Sequence, residues 1–296
     1  MYFRVINEKK AVKFTSDLLD YYKKIDNGCI DKILTLDDEE SCRDNAGWYR
    51  REDNQHKLFI NVPNLLLASF FVDSGVMDVD AFYALLTLCT GHEFRHFLQG
   101  RVIYDGINID GYTQDDVFNA ELMLYIRNFF DAYYLLNKGS VKYELDAEKF
   151  SIINGIEYLK DNYPKMNVEK SMLDAINFFA FIQSQGGIKS TLPLGCQTIE
   201  DVIQELENAI KNNVRVQDLN ESLFVNNSGF YDAHEEFGLD EDQVITKELL
   251  DEYRAEKDGG KRDLLVAKRI ISLLEYPEKS LTNFPHLKKR YLEKTL

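Results

Sequence analysis

Apolar positions along the chain recur mostly at helical spacing. Leu18, Leu19, Tyr22 and Ile25 share one helical face, and the pattern predicts a helix over 14–34 with Gly28 near a break. Asp37-Asp38-Glu39-Glu40 reads as an acidic loop. Next, Trp48–Arg51 and Lys57–Val62 flank the polar turn Asp53-Asn54-Gln55-His56, which predicts a β-hairpin. Pro63 ends its second strand, because proline has no N–H for a ladder, and a short apolar helix follows over 64–72. The segment 79–99 predicts a long helix, with Asp78 or Asp80 able to cap it and Gly100 a natural stop. Its first half, Ala81–Cys89, is almost wholly apolar and is expected to be deeply buried.

Downstream, 102–116 reads as a loop holding Gly106 and Gly111. Helices are predicted at 116–137, 140–160, 168–184, 198–212, 246–256 and 262–275. Gly186-Gly187, the polar stretch 220–238 and Gly259-Gly260 separate the later ones, and no fixed-period repeat is visible. The fold class expected is α+β, mainly α. A first domain with a small sheet would occupy 1–163, and a helical accessory domain of unknown role 164–296. Asn162-Tyr163-Pro164 marks that boundary.

Composition narrows the function classes. In 296 residues the hydrophobic fraction is 45%, enough for a sizeable core. The net charge of −15 argues against a phosphate-binding nucleic-acid protein, which needs clustered Lys and Arg. Cys29, Cys42, Cys89 and Cys196 are widely spaced, so neither a disulfide framework nor a cysteine metal site is suggested, and mostly buried, reduced thiols are expected. No apolar run is long enough for a signal sequence or a membrane span, so no membrane partner and a cytoplasmic location are expected.

The chemistry lies in Gly91-His92-Glu93-Phe94-Arg95-His96, which contains H-E-x-x-H. Residues four apart share one helical face, so two imidazoles can meet one ion. Glu93, beside the first histidine, can take a proton from a metal-bound water. With five histidines in the chain, a chance match is on the order of one in a hundred. A buried helix is also a costly place for unpaired imidazoles and carboxylates. Gln99-Gly100-Arg101-Val102 does not supply a third histidine at the metzincin spacing.

The third ligand is therefore sought among carboxylates. Glu144 and Glu148 are four apart on the helix predicted at 140–160, with small Ala147 able to admit a close neighbouring helix. Glu144 would bind the metal, and Glu148 would receive an N–H from a ligand histidine. Glu121 is the main competitor for the metal, followed by Asp146 and Glu148. His234 or Tyr231, in the polar stretch, are candidates for stabilising an oxyanion. Arg95 is expected to pair with a nearby acid, and His56 and His286 to lie on the surface.

Glu144-Leu145-Asp146-Ala147-Glu148-Lys149-Phe150 resembles the E-x-x-A-[D/N]-x-F segment of ImmA/IrrE-like peptidases and related small zincins of bacteria and phages. The resemblance spans roughly residues 45–155. It implies a gluzincin-like site with one Zn2+ on His92, His96 and Glu144, and an edge strand near Leu58–Asn61 that holds an extended peptide. The chain departs from that pattern in its long gap between His96 and Glu144 and in carrying Glu at 148. The activity implied is zinc-dependent hydrolysis of peptide bonds in a protein substrate, more as an endopeptidase than an exopeptidase. Two other readings stand beside it. One is a non-catalytic zincin-fold sensing module whose C-terminal region binds a regulatory protein partner; the other is a toxin or defence factor that cuts one host protein.

Overall fold

The structure, a computed structural model, describes residues 6–26, 30–42, 45–52, 55–112, 142–185, 192–193, 195–212, 246–256, 265, 268–269, 272–273, 276–281 and 285–294. The chain is mainly helical, with a three-stranded sheet near its N-terminus. The helix predicted at 116–137 and the candidates Glu121, Tyr231 and His234 lie outside the described residues.

Helix α1 (Glu8–Tyr22) begins where the Asn7 side chain accepts the N–H of Lys10 at 3.0 Å. It buries Ala11, Phe14, Leu18, Leu19 and Tyr22. The chain then forms strand β1 (Ile30–Leu34), where the apolar spacing predicted more helix. Strands β2 (Gly47–Glu52) and β3 (Gln55–Asn61) form the expected hairpin. β1 joins β3 in parallel and β2 joins it antiparallel, giving the order β1-β3-β2. β3 is thus the central strand, not the edge strand expected to hold a peptide. Its burial agrees, since Leu58, Phe59, Ile60 and Asn61 are all buried rather than alternating. Trp48 and Phe59 stack at 5.2 Å and close one face of the sheet with Leu34.

His56 is buried, contrary to its expected surface place. Its Nδ1 lies 2.7 Å from the Tyr49 hydroxyl, and its ring meets Phe97 edge-on. After β3 come short helices α2 (Val62–Leu65) and α3 (Ser69–Asp73). Pro63 stands in the first turn of α2, where a missing N–H costs nothing.

Helix α4 (Val79–Asp105) starts at Asp78, whose carboxylate accepts the N–H of Ala81 at 2.7 Å. It runs through Gly100, the residue expected to stop it. A Cβ at Gly100 would collide with the Tyr49 ring, so this glycine admits a neighbour rather than ending the helix. Helices α5 (Lys142–Asn162), α6 (Val168–Gln185) and α7 (Ile199–Asn212) follow close to their predicted bounds. At the start of α7, Thr198 and Asp201 exchange side-chain-to-backbone hydrogen bonds at 3.1 Å, a capping box.

The chain divides into two compact units, Met1–Arg101 with Leu145–Asn208, and Val102–Glu144 with Ala209–Leu296. The first has its core in Phe82, Phe94, Phe97, Leu18, Leu19, Leu34 and Leu58. The second contains helices α8 (Lys247–Ala255), α9 (Pro277–Ser280) and α10 (Pro285–Leu292), with Leu249 and Leu281 buried. Among the described residues, no helix is long and apolar enough to cross a membrane. Of the three cysteines described, all free thiols, only Cys89 is buried, fewer than expected.

Candidate metal centre

Two helices carry the site, and small residues let them approach. A Cβ on Gly91 would stand 3.0 Å from both Cα and Cβ of Ser151. A Cβ on Gly155 would stand 2.7 Å from Thr87 Cγ2. The partners descend along α5 by four as they ascend along α4 by four, so the helices run antiparallel along a seam of backbone contact. Ala147, the small residue singled out in the sequence, continues that seam and is fully buried.

Immediately after Gly91 on α4 comes His92 and, one turn on, His96; about one turn before Ser151 on α5 comes Glu148 and, a further turn back, Glu144. The ligand atoms of His92, His96 and Glu144 all lie within 4.8 Å of one another. α5 is continuous from Lys142, so Glu144 and Glu148 are carried by the same rigid element. The two imidazole Nε2 atoms are 2.9 Å apart. His92 Nδ1 faces Glu148 Oε1 at 3.3 Å, and His96 Nδ1 faces Gln99 Oε1 at 2.8 Å.

These partners decide the tautomers. A carboxylate oxygen and an amide oxygen both accept, so each Nδ1 carries the ring proton. Each Nε2 then presents a lone pair, and the two lone pairs point at one another across 2.9 Å. Neutral imidazoles in that arrangement repel unless a cation or a shared proton lies between them. A carboxylate from Glu144 in the same cluster adds negative charge to a partly buried site. Two Nε2 lone pairs and one carboxylate oxygen form the donor set of an open zinc site, and the residues present fit such an ion.

Glu93 is half-buried beside this cluster and lies close to the sheet. A Cβ on Gly47 would stand 2.9 Å from Glu93 Cγ and 2.8 Å from the Phe59 carbonyl oxygen. β2 thus reaches the acid through Gly47. Asp146, weighed as a ligand, instead accepts from Arg95 Nε at 2.7 Å and Nη2 at 3.1 Å. Arg95 thus pairs with an acid, as its setting in the motif suggested. Two residues of the neighbourhood escaped sequence reasoning. Gly47 lies just before the strand predicted from Trp48. Gln99 reads as a helix end, although its position seven residues after His92 puts it on the histidine face.

No family model, curated protein or solved structure matches the chain. The likeness to small zincins therefore rests on its motif residues alone.

Proposed function

We propose that this chain is a zinc-dependent peptidase acting on a protein or peptide substrate. The observation that carries the reading is the facing pair of Nε2 lone pairs, with a carboxylate beside them and a second acid, Glu93, next in sequence to one ligand. His92, His96 and Glu144 would hold the ion, with Glu148 orienting His92 through its Nδ1–H. Zinc bound there supplies a Lewis acid and a water of lowered pKa.

The chain's own residues do the rest. Glu93 accepts a proton at its carboxylate and passes it to the leaving amine. Its place against Gly47 keeps its stem clear of any side chain from β2. A scissile segment would enter from the Gly47 end of β2, where the acid is reached. The region 164–296 is the part proposed to contact a regulatory protein, and 1–163 the catalytic part.

The test uses the full chain and a substrate identified by peptide-library cleavage. Glu93→Gln should keep zinc and the unfolding midpoint, and lower turnover by about 10²–10⁴-fold. Zinc retained with parental turnover in that variant would remove Glu93 from the chemistry. A zinc-loaded wild type that cleaves nothing would favour a binding module.

A further inference from the structure

His92 and His96 are backed differently. His92 faces a carboxylate, which has no wrong orientation, because both its oxygens accept. His96 faces an amide, which has one. Turned through 180°, Gln99 would present N–H to His96 Nδ1, push the ring proton to Nε2 and remove the lone pair a metal needs. Something must hold the amide the right way round.

The arrangement around Gln99 does this. Its Nε2 donates to Asp146 Oδ2 at 2.8 Å, which leaves Oε1 for His96. Both Asp146 oxygens already accept from Arg95, so Asp146 has acceptors alone to offer Gln99. Arg95 in turn carries only donors, and its guanidinium lies 5.0 Å over the Phe150 ring, which fixes its plane. Gln99 is fully buried, Arg95 and His96 nearly so, so water does not compete freely for these bonds.

We propose that Arg95, Asp146 and Gln99 form a polar relay that sets the tautomer of His96, with Gln99 the positioning residue. The inference rests on the metal reading above but goes beyond it. Two residues that do not touch the ion, Arg95 and Asp146, decide whether His96 can bind it. The relay also joins α4 to α5, so it ties His96 to the helix that carries Glu144.

The test compares three full-length proteins: wild type, Arg95→Met/Asp146→Leu, and that double variant with Gln99→Glu added. Replacing both members of the ion pair by apolar groups leaves no charge stranded, and frees the amide to turn. Long-range 1H–15N spectra of the metal-free proteins report each imidazole tautomer, and chelator competition reports zinc affinity. The double variant is expected to move His96, and not His92, toward the Nε2–H tautomer and to weaken zinc binding about 10–100-fold. Adding Gln99→Glu should restore both, because the two oxygens of an ionised carboxylate both accept and have no wrong orientation. Should the double variant fail to fold, Gln99→Met, which removes the acceptor at similar volume, should give the same two changes. Wild-type tautomer and affinity in the folded double variant, or in Gln99→Met, would overturn the relay. So would a triple variant that stays as weak as the double. A wild type that binds no zinc would sink the metal reading, while the tautomer comparison would still decide the relay.

Discussion

The two halves of helix α4 meet the same neighbour, α5, along the same antiparallel seam, yet they are built on opposite chemistry. From Ala81 to Cys89 the helix buries Ala81, Phe82, Ala84, Leu85, Leu86 and Leu88, and its contact with α5 is Thr87 on Gly155. From His92 to Gln99 it still buries Phe94, Phe97 and Leu98, but Arg95, His96 and Gln99 are buried with them. The first half meets α5 through close packing of small and apolar groups. The second uses the fixed spacing to aim polar groups, each of which has a partner on α5 or α4. Close packing at Gly91 and Gly155 is what makes that aim reproducible, because an imidazole–carboxylate geometry fails with a shift of about 1 Å.

Substitutions in the two halves should therefore separate stability from metal binding. The largest stability effect is expected for Phe82→Ala in the first half, whose fully buried ring meets Tyr83 edge-on. A loss of about 3–5 kcal/mol by denaturant unfolding is expected, with zinc still bound by the molecules that remain folded. His96→Ala should do the reverse. Stoichiometric zinc is lost, while the metal-free stability changes by only about 1 kcal/mol. Gly155→Ala drives a Cβ into Thr87 and should cost about 1–3 kcal/mol in unfolding free energy. Because Gly155 lies on the apolar side of the seam, zinc affinity should fall less there than in Gly91→Ala, next to the ligands. The smallest effect is expected for Asp78→Ala, which removes the cap of α4 at its exposed end and should cost about 1 kcal/mol with no change in zinc affinity. Equal losses of zinc affinity in all five would erase the distinction between the halves.

Much of this arrangement was legible in the sequence because it is local. Periodicity placed the start of α4 and both ends of α5 to α7 nearly at their bounds, and the H-E-x-x-H spacing put His92 and His96 on one face without reference to any other element. Glu144 and Glu148 were legible for the same reason, as residues one turn apart. What escaped depends on partners distant in the chain. β1 is short, and Ile30, Ile33 and Leu34 suit a helical face as well as a strand; only pairing with β3 makes it one. Gly100 reads as a stop because its need for space comes from Tyr49 across the sheet hairpin. His56 reads as a turn residue until Tyr49 and Phe97 cover it. Gln99 gains a meaning only from Asp146, 47 residues on.

On the proposed reading, His92 and His96 turn their Nε2 atoms, 2.9 Å apart, toward one ion. Zinc K-edge X-ray absorption on the zinc-loaded full chain measures that directly. One equivalent of zinc with two imidazole nitrogens and carboxylate or water oxygens at about 2.0–2.1 Å is expected, with the carboxylate contribution lost in Glu144→Ala. A chain that takes up no stoichiometric zinc after metal-replete expression, or a zinc shell with fewer than two imidazoles, would contradict it.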